Sequence, residues 1–113
     1  DLNIDHRKVF EAVITAFRPQ AMMKAHSIIT FEVPSSTDYR IRANKKNFTP
    51  NYYVNINKFI NYKIKAIKCY KSEIKKSPNS RSLDGIKNLA KYRGNQVGMK
   101  YSEAYEIFRK IEK

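Results

Sequence analysis

Apolar residues recur at helical spacing in four stretches of this chain and at strand spacing in two, and their order sets the expected fold. Val9, Phe10, Val13, Ile14 and Phe17 form one helical stripe, which Pro19 stops. Asn3 or Asp5 can cap its start, where a carboxylate is also favoured by the helix dipole. Ser27 to Val33 is a short β-rich run ended by Pro34 and reads as a buried strand; Tyr52 to Ile56 reads as a second. The stretch between them, Ser35 to Pro50, has no clear period and is expected to be a long loop. From Asn57 a long helix is expected, with Phe59, Ile60, Ile64, Ile67 and Ile74 on one side and Lys63, Lys65, Lys68 and Lys71 outside. Ser77, Pro78 and Asn79 break it. Leu83, Ile86, Leu89 and Ala90 mark a shorter helix that Gly94 can end in a left-handed conformation. A last helix is expected over Ser102 to Ile111, with Ala104, Tyr105, Phe108 and Ile111 inward. Two short strands make a poor independent sheet. The expected fold class is therefore α/β with few strands and about four helices, and residues 1–113 read as a single partial domain.

Composition changes this picture little. With 113 residues the chain can bury one small core and not two. It holds no run of about 20 apolar residues, so no membrane span is expected. Cys69 is the only cysteine, which rules out an internal disulfide and fits a reducing, cytoplasmic setting. In the middle of a helix it reads as a small packed residue. The charge is the loudest number: 23 Lys and Arg against 10 Asp and Glu, a formal net of +13. That invites a basic nucleic-acid-binding module built on Arg40, Arg42, Lys45 and Lys46 with Tyr39, Phe48, Tyr52 and Tyr53. The charge is spread along the chain and no nucleic-acid motif is present. Solvated lysine faces account for most of it, and no nucleic-acid partner is expected.

Only two histidines are available for chemistry. His26 stands beside Lys24 at a loop entry and is expected to be exposed. His6 follows Asp5 at the start of the first helix, in Asp1-Leu2-Asn3-Ile4-Asp5-His6-Arg7. Open α/β sheets bind ligands at the carboxyl edge beside helix starts, and neighbouring carboxylates orient metal-bound imidazoles. Taken alone, a histidine near a helix start is more often a surface or capping residue.

That heptapeptide resembles the second metal motif of the PIG-L/LmbE-like zinc-dependent N-deacetylases, typically His-Pro-Asp-His or Asp-Leu-His-x-Asp-His-Arg. The likeness continues in order through Thr15 to Pro19, Phe31-Glu32-Val33-Pro34-Ser35-Ser36-Thr37, Ser80 to Leu83, and Tyr92-Arg93-Gly94-Asn95-Gln96-Val97-Gly98-Met99-Lys100-Tyr101-Ser102-Glu103-Ala104-Tyr105. It covers nearly the whole chain and implies the C-terminal portion of a Rossmann-like deacetylase fold, without the Ala-His-Pro-Asp-Asp-Glu motif of the N-terminal half. By the resemblance His6 would ligate Zn²⁺, Asp5 would neighbour it in the catalytic group, and Asn3 would stand where many relatives carry a histidine that steadies the oxyanion. The implied substrate is a small-molecule amino-sugar conjugate that loses an N-acetyl group, with Glu32, Ser35, Ser36 and Arg81 as candidate binding residues. Arg81 is also read as capping or bridging loops, and Arg93 as pairing with a carboxylate such as Glu103. An incomplete sheet would leave an edge and an apolar face, so a homo-oligomer is among the expected partners. A non-catalytic remnant of the same fold is the remaining alternative.

Overall fold

The computed structural model describes residues 1–21, 27–39 and 47–112. In chain order the elements are α1 (Ile4–Ala16), β1 (Ser27–Phe31), β2 (Tyr52–Asn55), α2 (Ile60–Lys68), α3 (Leu83–Asn95) and β3 (Ser102–Lys110). The mixed α/β class is what the structure has. Among the described residues there are three helices rather than about four, and the three strands form one antiparallel sheet in the order β1-β3-β2.

The largest departure from expectation is β3. Ala104, Tyr105, Phe108 and Ile111 fall at helical spacing, yet Ser102–Lys110 is the central strand. Its Tyr105, Ile107 and Phe108 are strand-favouring types, and two partners decide the matter. Tyr52 to Asn55 pairs with Tyr105 to Ser102 on one side, and Phe31 and Ile29 pair with Tyr105 and Ile107 on the other. A central strand satisfies its backbone groups along both edges, which local helical spacing cannot outweigh.

The β1–β3 register shifts between Ile28, opposite Arg109, and Ile29, opposite Ile107. Phe108 is thus the extra residue of a bulge, a device that re-aims a side chain. Its ring meets Phe10 of α1 edge-on with centroids 5.4 Å apart. The Arg109 guanidinium also donates to the Phe17 carbonyl at the end of α1. Asn3 caps α1, its Oδ1 accepting from the Asp5 N–H at 2.8 Å. No residue of α1 is buried, and Ile4, Val9, Phe10 and Phe17 stay largely exposed.

The core is small: Ile56, Ile60 and Ala90, with Val54 and Tyr101 packed against them. Ser102 is fully buried because its hydroxyl reaches the Val54 carbonyl at 3.0 Å. The Ile56 N–H donates to the Tyr101 carbonyl, and the Tyr101 N–H donates to Asn57 Oδ1 at 2.7 Å. These contacts fasten the entry of α2 to the entry of β3.

α2 ends at Lys68 instead of running through Ile74. Tyr70 to Ile74 turn back on themselves, with the Glu73 and Ile74 N–H groups both donating to the Tyr70 carbonyl. Cys69 lies in this exit, exposed rather than packed, its sulfur near the Lys65 carbonyl. Ser82 caps α3 through the Gly85 N–H.

Gly94 does not end α3 in a left-handed conformation. It is buried within the last turn, and the positive φ belongs to Gly98, at 71°. A Cβ on Gly94 would stand 2.5 Å from the Met99 carbonyl oxygen, where the chain turns back into β3. Gly94→Ala should therefore cost roughly 1–3 kcal/mol, the usual penalty of overpacking, read as a lower urea midpoint. An unchanged midpoint would mean that the approach to β3 does not press on α3 there.

Candidate active-site groove

A groove of about 700 Å³ runs between β1, β3, α2 and α3 and reaches the start of α1. Its wall brings together Asn3, His6, Glu32, Lys63, Arg81, Arg93, Glu103 and Tyr105, residues spread over nearly the whole chain. Phe31 and Tyr105 also line a second cavity of about 360 Å³ with Ile29, Tyr52 and Val54, so the polar groove adjoins an apolar sheet face.

His6 is half-buried, with Nδ1 2.9 Å from Asp1 Oδ2. The other oxygen of Asp1 accepts from the Asn3 N–H at 2.9 Å, so the carboxylate is held at both ends. A carboxylate here can only accept, so Nδ1 carries a proton, and in the neutral imidazole the Nε2 lone pair is then left for a ligand. The carboxylate that orients His6 is therefore Asp1. Asp5, its sequence neighbour, lies exposed in the first turn of α1, outside the groove wall.

Glu32 lies just beyond β1, and Arg93 holds it with two parallel bonds. Nε donates to Oε1 at 2.8 Å and Nη2 to Oε2 at 2.6 Å, with both side chains about 15 % exposed or less. The hydrogen bond that Arg93 donates to Glu32 overcomes burial and raises the Arg93 pKa above its ordinary value. The guanidinium also lies 5.8 Å from the Phe48 ring centroid and 5.3 Å from that of Tyr92. Arg93 thus has the carboxylate partner expected of it, with Glu32 in place of Glu103, because Glu103 turns to Lys63 on α2 at 2.7 Å. Lys63 is accordingly half-buried rather than outside.

The Tyr105 hydroxyl donates to the other oxygen of Glu103 at 2.5 Å. Burial acts to raise the Glu103 pKa, but the bonds from Lys63 and Tyr105 prevail and hold it below the usual carboxylate value. Burial and the bond to Glu103 push the Tyr105 phenol up to about 12.

Arg81 acts as the expected loop bridge. Its Nε donates to Ser35 Oγ at 2.6 Å and to the Pro34 carbonyl, and its Nη1 pairs with Glu73 at 2.8 Å. Ser35 carries a positive φ of 69°. Ser36 is buried, its carbonyl accepting from the Leu2 N–H at 2.8 Å. Neither serine lines the groove, so both shape the loop that carries Glu32 and meets α1. Sequence reasoning overlooked Lys63 and Tyr105 as groove residues. Their partner Glu103 lies 40 positions from Lys63, beyond any local signal.

No protein-family model matches this chain, and neither a curated protein nor a solved structure matches it.

A catalytic zinc takes three protein ligands and keeps a position open for water. Among the described residues no group of three His, Cys, Asp or Glu comes together in that way. Among the described residues the histidine donor set is one imidazole with its orienting carboxylate. It does not by itself complete a zinc site. His26, Arg40, Arg42, Lys45 and Lys46 lie outside the described residues.

The raised phenol sets a sign. Because the folded pKa of Tyr105 exceeds its ordinary value of 10.0, its contribution to stability is full below pH 10 and lost as pH rises toward 12. Tyrosinate absorbance should show a component titrating near pH 12 that disappears in Tyr105→Phe. Glu103→Gln should move that component down, since it removes the charge facing the phenol. A component unmoved in Glu103→Gln would mean that the carboxylate does not hold the hydroxyl.

Proposed function

We propose that this chain carries part of the active site of a zinc-dependent amide hydrolase of the PIG-L/LmbE-like kind, one that removes an N-acetyl group from an N-acetylglucosamine-type sugar conjugate. The observation that carries the reading is the groove itself. It gathers Asn3, His6, Glu32 and Arg81, four of the residues the resemblance singles out, with the His6 Nδ1 taken up by Asp1, which in the neutral imidazole leaves Nε2 for a ligand. Under this reading the remaining zinc ligands and the general base come from outside this chain, and the three strands belong to a Rossmann-like domain. The lone exposed cysteine suits a reducing, cytoplasmic enzyme.

Zinc in such enzymes lowers the pKa of bound water and polarises the acyl carbonyl. The residues present here do the surrounding work. Asp1 fixes the tautomer and direction of His6, the usual duty of a carboxylate behind a metal-bound imidazole. Asn3 spends its Oδ1 on the helix cap, which leaves its NH₂ as a donor toward developing negative charge. Glu32 and Arg93 satisfy each other, so they contribute a rigid polar wall rather than a free charge. Lys63 and Tyr105 converge on Glu103 in the same wall. The apolar face of Ile29, Phe31 and Tyr52 suits the non-sugar part of a conjugate.

In the intact enzyme, His6→Ala should lose zinc and deacetylation together, by metal analysis and release of acetate. Asp1→Asn should weaken zinc affinity by roughly 10–100-fold. Asn3→Asp keeps the cap but removes the NH₂ donor. It should retain zinc and lower turnover by about 10²–10³, on the order of 3 kcal/mol. Equal zinc content in His6→Ala and the parent would remove His6 from the metal site and the proposal with it.

A further inference from the structure

The outer side of α2 takes no part in the groove. Ile60 is buried and Ile67 lines the groove, so the helix presents the opposite face to solvent. On and beside that face Phe59 and Tyr62 are 59 % and 69 % exposed. From Asn57 to Ser72 the chain holds five lysines and no carboxylate. Lys63 is taken by Glu103. Lys58, Lys65, Lys68 and Lys71 are exposed, and none of these four forms an ion pair among the described residues. A helix that combines exposed aromatic rings with uncompensated lysines suits the boundary of an anionic leaflet, where rings enter the headgroup layer and ammonium groups meet phosphate.

We infer that the outer face of α2, with Tyr62 and Lys65 at its centre and Phe59 and Lys68 at its two edges, docks the protein on a membrane surface rich in anionic phospholipid. Charge complementarity chooses this occupant. A single-stranded nucleic acid would call for a cationic groove, and none of these four residues lines either cavity described above. The cations here are all lysines, compact point charges without the planar fork of arginine. The inference stands apart from the proposed hydrolase, since it uses no residue of the groove chemistry.

The test sediments the intact protein with vesicles of phosphatidylcholine alone and of an equimolar mixture with phosphatidylglycerol. Binding is expected only to the mixture, and it should fall as salt is raised. Lys65→Gln with Lys68→Gln should weaken the partition by roughly 30-fold. Lys87→Gln with Lys91→Gln, the same loss of charge from exposed lysines of α3, should leave it nearly unchanged. Tyrosine fluorescence of the unaltered protein should be quenched by brominated lipid in the mixture, and less so in Tyr62→Ser. Three results would overturn the inference: no binding to the mixture, an equal loss from the two lysine pairs, which would reduce the effect to net charge, or tighter binding of oligothymidylate through Lys65 and Lys68.

Discussion

Arg93 and Glu32 form the contact on which the groove depends. Each side chain is largely buried, and a buried charge is tolerable only when its partner is present. Removing one partner of such a pair typically costs about 3–5 kcal/mol, because the other is left desolvated and unpaired. The pair joins α3 to the chain just beyond β1, two segments 61 residues apart. Since β1 also pairs with β3 and Lys63 of α2 reaches Glu103 of β3, the ion pairs complete a frame around the cavity. The groove keeps its shape through charge pairing as much as through apolar packing, which suits a protein with only five buried hydrophobic residues among those described.

A second set of contacts leads from this frame to His6. Glu73 holds Arg81, which holds the Pro34–Ser35 turn, and the adjoining Ser36 carbonyl accepts from Leu2. Asp1 then fastens both Asn3 and His6. The helix that carries His6 is otherwise lightly attached, through Phe10 on Phe108 and the bond from Arg109 to Phe17. The position of the imidazole thus follows from loop contacts at one end and a β-bulge at the other.

The parts of this arrangement that are local were legible in the sequence. Asn3 has the side chain a helix start requires, and it caps α1. Leu83 to Ala90 carries an amphipathic stripe, and it is helical. The runs at Ser27 and Tyr52 are strands, each a little shorter than expected. What escaped was non-local. β3 carries a helical pattern, and only its two partners, beginning 75 and 50 residues earlier at Ser27 and Tyr52, make it a strand. Gly94 looked like a helix end, although its role is to admit the returning backbone at Met99. Arg93 has the carboxylate partner its sequence leads one to expect, but that partner is the distant Glu32 rather than the nearby Glu103, which folding gives to Lys63. Asp5 was placed behind His6 on proximity in sequence, and the carboxylate that reaches the ring is four residues further upstream.

The account's central claim is that this polar groove hydrolyses an amide with a metal held partly by His6. Anomalous diffraction at the zinc edge, from crystals of the intact protein grown with zinc, tests it most directly. The account predicts a peak about 2.0–2.1 Å from His6 Nε2, the ordinary zinc–imidazole distance, with Asp1 still bonded to Nδ1. A peak remote from the groove, or one at Nδ1 with Asp1 displaced, would contradict it.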